Sequence, residues 1–174
     1  MKIMKIKITI LALLISGIAL FAFTQETKKT PDYAAIVRKF HDNYSKGLVE
    51  ANGEMVDPNV IIEVNGGAEN KINGETFKGK EAFVEFLKRD KRMFKDGKLT
   101  HLQLITQGRE VAVRFYMEGT HTGPIQTPDG VIEPTGKKVH LEVTEFAYFS
   151  PEGKLLHVHT LYNTLGLLMQ LKAK

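Results

Sequence analysis

The chain has 174 residues, with 24 Lys and Arg against 20 Asp and Glu, a formal charge of +4 and an isoelectric point near 9.2. Hydrophobic residues make up 43% and charged residues 25%, a balance that suits one globular domain. There is no cysteine, which excludes a disulfide scaffold, a thiol nucleophile, a cysteine-ligated metal site and a cysteine-linked lipid anchor.

Lys2, Lys5 and Lys7 precede an uncharged run over residues 8–23, and Ala22-Phe23-Thr24 closes it. A basic start, an apolar middle and a small-residue cut site make the layout of a secretory signal. At about 1.5 Å per residue the run spans about 24 Å, short of the roughly 30 Å hydrocarbon core, which favours a cleaved signal over an anchor. Cleavage is expected after Thr24, so residues 1–24 are a signal and the mature protein is secreted or periplasmic. Three of the 24 bases leave with it, and the remaining 21 against 20 acids give a net charge of +1. The basic character then belongs to the signal. No nucleic-acid partner is expected, and membrane contact is confined to the segment before cleavage.

Residues 25–30 read as a disordered polar lead-in, and 31–174 as one domain. Thr30 is placed to cap a helix with Pro31 at its first position. Tyr33, Ile36, Val37, Phe40, Tyr44 and Leu48 then recur at helical spacing, and Gly47 supplies the stop. A second short helix over 48–56 is expected to end at Asp57-Pro58. Residues 60–64 read as a strand closed by Asn65-Gly66-Gly67, and no helix opens there to make a phosphate loop.

A polar loop is predicted over 68–79 and a third helix over 80–95. Phe83, Phe86, Leu87, Met93 and Phe94 share one face of that helix. Asp90 falls on the same side and is expected to pair with a nearby lysine. Lys88, Arg89, Lys91, Arg92 and Lys95 make a solvated face without interleaved aromatic residues. From Leu99 the period changes to two, and 99–106, 110–120, 137–149 and 155–162 are predicted strands. Gln107-Gly108 and Pro151-Glu152-Gly153 mark turns, and 165–172 is a closing helical turn. Helices first, then a largely antiparallel sheet, is an α+β layout with helices on one side of a curved sheet.

Three segments are more specific: REVAVRFYMEGTHTG at 109–123, EPTGKKV at 133–139 and GKLLHVHTLYNTLGLLMQL at 153–171. In order and spacing, over 31–172, the chain resembles the SnoaL-like polyketide cyclase (ester cyclase) group of the nuclear transport factor 2-like superfamily. The resemblance implies a cone-shaped α+β fold, with N-terminal helices packed on a strongly curved, mostly antiparallel sheet around one apolar pocket, often in a homodimer. It also implies chemistry without metal or cofactor, an aldol ring closure of a polyketide methyl ester with a pocket carboxylate as acid/base. An apolar pocket suits that group, because desolvation lifts a carboxyl pKa toward neutrality. The expected partner is a small hydrophobic carbonyl compound, turned over by general acid/base catalysis or carried by a non-catalytic binding domain.

By the family spacing, the aspartate three residues before the GLL glycine falls on Asn163, and an acid/base residue four positions earlier falls on His159. Neither is a carboxylate, and asparagine accepts no proton at neutral pH. The same spacing turns His157, His159, Leu161 and Asn163 into the pocket, on one strand face. His157 or His159 with Glu145, expected opposite His157 across the last turn, would make an acid/base dyad or a structural cross-strand pair. Glu63 is a second pocket carboxylate or a rim acid. Tyr44, Phe40, Phe115 and Met117 are candidate pocket wall, and His121 contacts ligand or holds its turn. His157-x-His159 would hold a metal only with a third ligand from Glu145, Glu63 or His140, and the resemblance implies none.

Overall fold

The computed structural model describes residues 30–127 and 130–172. The expected signal over 1–24, and the lead-in as far as 29, lie outside the described residues. Helix α1 spans Tyr33–Ser45 and presents Tyr33, Val37, Phe40, His41 and Tyr44 to the interior. Its cap is Asp32 rather than Thr30: the Asp32 carboxylate accepts from Ala35 N at 2.9 Å. The helix stops at Gly47, whose φ of +75° suits a residue without a Cβ.

Helix α2 is a single turn, Val49–Gly53, shorter than expected, and strand β1 begins early, running Val56–Val64 through Pro58. Pro58 is tolerated because β1 pairs with β8 only at Val56 and again from Ile61, so its missing N–H interrupts no ladder. A 3-10 turn (Gly67–Glu69) and strand β2 (Glu75–Lys78) replace the predicted loop. Helix α3 is Lys80–Met93. Strands β3 (Lys98–Gln107) and β4 (Glu110–Thr120) follow. A small hairpin that the sequence reading lacked, β5 (Ile125–Thr127) with β6 (Gly130–Ile132), comes next. Strands β7 (Lys138–Phe149) and β8 (Leu155–Tyr162) and helix α4 (Thr164–Lys172) complete the chain.

The large sheet runs β2-β1-β8-β7-β4-β3, with β1 and β8 parallel and every other pair antiparallel. Its inner face is built by strict alternation: Val111, Val113, Phe115 and Met117 on β4, and Val139, Leu141, Val143, Ala147 and Phe149 on β7. Register breaks at Leu102 and Leu156 insert one residue each and bend the sheet. The result is α+β, four helices packed on a curled, mostly antiparallel sheet. Among the described residues no helix is long and apolar enough to cross a membrane.

A polar clamp holds α2 to α1. Asn52, 2% exposed, donates to Phe40 O at 3.0 Å and accepts from Asn43 Nδ2 at 2.9 Å. Asn52→Ala removes both buried hydrogen bonds, and urea unfolding should show a loss of about 2–3 kcal/mol.

Candidate functional site

The inner sheet face, α1 and α3 enclose a cavity of about 190 Å³. That is below the roughly 300 Å³ at which pockets for larger ligands begin, so it suits a molecule of one or two rings. Most of its wall is apolar. Helix α1 contributes Val37, Phe40, His41 and Tyr44, the i, i+3, i+4, i+7 stripe of one helix face. Three carboxylates line it: Glu75, held by Arg89, and two others, Glu145 and Asp90, each met by a donor from α1.

The first is Glu145 on β7. It occupies an inward position between Val143 and Ala147, so the pleat that builds the core also turns this acid inward. Its Oε2 lies 3.1 Å from His41 Nε2, and Thr160 Oγ1 donates to Oε1 at 3.1 Å. A carboxylate partner selects the His41 tautomer with hydrogen on Nε2. Two acceptor sites of the carboxylate remain for a ligand. The His41 ring stacks flat on His101, with centroids 4.8 Å apart and planes within 1°, and meets the Phe115 ring edge-on at 4.5 Å. Burial and the neighbouring His41 and Arg38 hold the His101 pKa down, which keeps that imidazole neutral under the dyad.

The second is Asp90 on α3, which accepts a short hydrogen bond from the Tyr44 hydroxyl. Burial pushes the Asp90 carboxyl up, against the opposing pull of Tyr44, Arg89 and Lys91. Burial and the adjacent Asp90 push the Tyr44 phenol up as well. The expected lysine pair is absent: Lys91 donates to Gly97 O at 3.1 Å, and Arg89 grips Glu75 with two bonds of 2.8 and 2.7 Å. Arg89 lies over the Phe77 and Phe86 rings, where the Glu75 partner raises its pKa. Tyr162 of β8 also lines the cavity, its phenol raised by burial and by Asp90.

A family model for SnoaL-like polyketide cyclases matches residues 34–171. The chain belongs to the SnoaL-like polyketide cyclase family. Solved structures share the fold at low identity. One is a protein from Jannaschia sp. CCS1 assigned as a SnoaL-like polyketide cyclase, 14% identical with a TM-score of 0.71, over 87% of this chain and 99% of that one. IdmH from Streptomyces antibioticus, assigned as a polyketide cyclase, is 19% identical with a TM-score of 0.66, over 81% and 99%. AclR from Streptomyces galilaeus, assigned as a hydroxylase, is 17% identical with a TM-score of 0.66, over 82% of each chain. The likeness establishes the cone-shaped fold, and a fold of this kind does not specify one reaction. No functionally curated protein matches this chain.

In this SnoaL-like cone, Tyr44, Phe40, Phe115, Met117 and Glu145 all line the cavity. The last strand is turned the other way from the sequence expectation. Val158, Thr160 and Tyr162 look inward, whereas His157 and His159 lie on the outer sheet face. The bulge at Leu156 resets the phase, so Glu145 pairs with Thr160, and His157 lies opposite Tyr148. His157 Nε2 lies 2.9 Å from Glu63, and His159 Nε2 accepts from Gly66 N at 3.2 Å. Glu63 is therefore an outer-face acid, because the inward residues of β1 are Val60, Ile62 and Val64.

His121 does not reach the cavity either. It is fully buried and holds its turn, with Nδ1 accepting from Thr135 N at 3.2 Å. Asn163 is the exposed first cap of α4, its Oδ1 accepting from Gly166 N at 2.9 Å. Asp and Asn serve equally at such a cap, which explains why asparagine is accommodated there. Among the described residues no three His, Asp or Glu side chains converge to hold a metal. His41, Asp90, Thr160 and Tyr162 are the site residues that the sequence reading missed as such; the signal for His41 was its place on the α1 stripe, between Val37 and Tyr44.

A carboxyl whose folded pKa is raised penalises the fold once pH exceeds its unfolded value, near 3.9, and the penalty grows until the folded value is reached. The stability of Asp90→Asn relative to the parent should therefore rise with pH above about 4. Denaturant unfolding at a series of pH values checks this, and a flat or falling difference would contradict a raised Asp90.

Proposed function

We propose that this chain is a cofactor-free general acid/base enzyme acting on a small hydrophobic carbonyl compound, with Glu145 as the base. What carries the reading is a carboxylate held by His41 and Thr160 inside a mostly apolar cavity. Glu145 removes a proton from the carbon next to the carbonyl: the C–H bond breaks, its electron pair forms the C=C bond, and charge moves to the oxygen. His41 fixes the carboxylate and takes up the change in its charge through the shared hydrogen bond. The enolate so formed can attack a second carbonyl or be reprotonated, the common first step of aldol closure and isomerisation.

The exchange of α-protons in 2-tetralone, a bicyclic ketone, tests this in D2O by NMR. The wild-type protein should accelerate exchange, and Glu145→Gln should lose about 10²–10⁴-fold of that rate. Loss of exchange in His157→Ala or His159→Ala, with Glu145→Gln still active, would return the chemistry to the outer sheet face and overturn the assignment. A wild-type protein that retains a ligand through purification, read by native mass spectrometry, yet exchanges no ketone proton is a carrier.

The basic, apolar and small-residue order of residues 1–24 supports export, with the enzyme acting outside the cytosol. N-terminal sequencing of the extracytosolic protein should start at or near Gln25, and recovery of an intact Met1 end would refute cleavage.

A further inference from the structure

We propose that His101 of β3 is a positioning residue for the base: its ring, lying flat on His41, seals His41 Nδ1 from water and so holds His41 as a one-proton donor, through Nε2, to Glu145. This rests on the carbonyl reading above and concerns what keeps Glu145 basic rather than what it acts on.

Strand β3 holds His41 at two points. At the backbone, Leu99 N donates to Ser45 Oγ at 3.1 Å, and Ser45 Oγ donates to His41 O at 2.8 Å. At the side chain, the His41 and His101 rings stack within 1° of parallel, and Phe115, which pairs with His101 across β3 and β4, meets His41 edge-on. The register break at Leu102 follows directly, so the strand is re-aimed just after the residue that carries the stack. With the ring so fixed, Glu145 settles the tautomer: a carboxylate 3.1 Å away requires the hydrogen on Nε2.

The remaining nitrogens decide what the stack does. His41 Nδ1 and His101 Nε2 are both buried, and neither has a hydrogen-bond partner. A bare lone pair tolerates such a place better than an N–H does, and an N–H that shares a positive charge tolerates it least. A second proton on His41 is therefore opposed at Nδ1, although Glu145 attracts it at Nε2. An imidazolium there would cancel the Glu145 charge and weaken the base. A neutral imidazole orients the carboxylate and leaves its charge available. His101 serves this purpose only while uncharged, and burial, His41 and Arg38 push its pKa down against the pull of Glu145. Those are the titratable groups of α1 and β7 that act on the stack. Strands β4 and β8 bring Phe115 and Thr160, and the acids that α3 and β2 turn to the cavity are committed, Asp90 to Tyr44 and Glu75 to Arg89.

Histidine nitrogen–proton correlation NMR reads the two ring nitrogens separately, and 2-tetralone exchange reads the base. In the wild-type protein His41 should show a single proton, on Nε2, from about pH 6 to about pH 8. His101→Ala opens Nδ1 to water, and His41 should then gain its second proton at about pH 7. In that protein kcat for exchange should fall about tenfold at about pH 6 with KM within about twofold, and the deficit should close by about pH 8.5. His101→Phe, flat and uncharged, should restore both the single proton and the rate. A wild-type His41 protonated on both nitrogens at about pH 7, or a His101→Phe protein no better than His101→Ala, overturns the inference. So does an Ala deficit equal at every pH, the mark of a merely structural residue. Should the Ala protein not fold, the wild-type and His101→Phe spectra decide the matter alone. Wild-type protein that shows the single His41 proton but exchanges no ketone proton refutes the carbonyl reading and leaves the role of His101 toward His41 standing.

Discussion

Helix α1 carries two polar side chains, His41 and Tyr44, on the same face as Val37 and Phe40, and that face is buried against the sheet. A buried polar group must find a partner or lose stability. The fold meets this demand with two carboxylates from distant parts of the chain, Glu145 from β7 and Asp90 from α3. Each pairing fixes α1 to another element: one to the sheet, the other to the helix that closes the cavity. The polar interior and the placement of the three elements are thus one arrangement.

The two stations differ in a way that suits them to different work. Glu145 has two donors and a polar neighbourhood, His41 and Thr160, with His101 stacked beneath. Asp90 has a single phenol and an apolar wall, and burial works against its charge. Glu145 is held by two hydrogen-bond donors, whereas burial pushes the Asp90 carboxyl up, so the two acids stand in different surroundings within one cavity. The ion pair Arg89–Glu75, laid over Phe77 and Phe86, completes the wall with charge that is already neutralised.

The outer sheet face gives a useful contrast. His157 with Glu63 has nearly the same geometry as His41 with Glu145, 2.9 Å against 3.1 Å. The outer pair is 43% and 35% exposed, the inner pair 7% and 20%. Solvent screens the first, and it is worth what a surface pair is worth. Only the second is in contact with the cavity, so side-chain chemistry alone would not distinguish the two pairs.

The period-two runs of β4, β7 and β8 were legible in the chain, because alternation follows directly from the pleat, and their predicted bounds nearly coincide with those observed. The segments around GTHTG, PTGK and GLLMQL carried the family and, with it, the cone and its pocket. Glu145 was also readable, as the one acid in the inward series Val139, Leu141, Val143, Ala147, Phe149. Two things were decided only by tertiary structure. The single-residue bulge at Leu156 reversed the expected facing of His157 and His159, and nothing in the local pattern marks a bulge. The partners of His41 and Asp90 lie 104 and 46 residues away, so their roles exist only once the helices close on the sheet. Local sequence determines which way a side chain points along its own element; packing determines what it meets there.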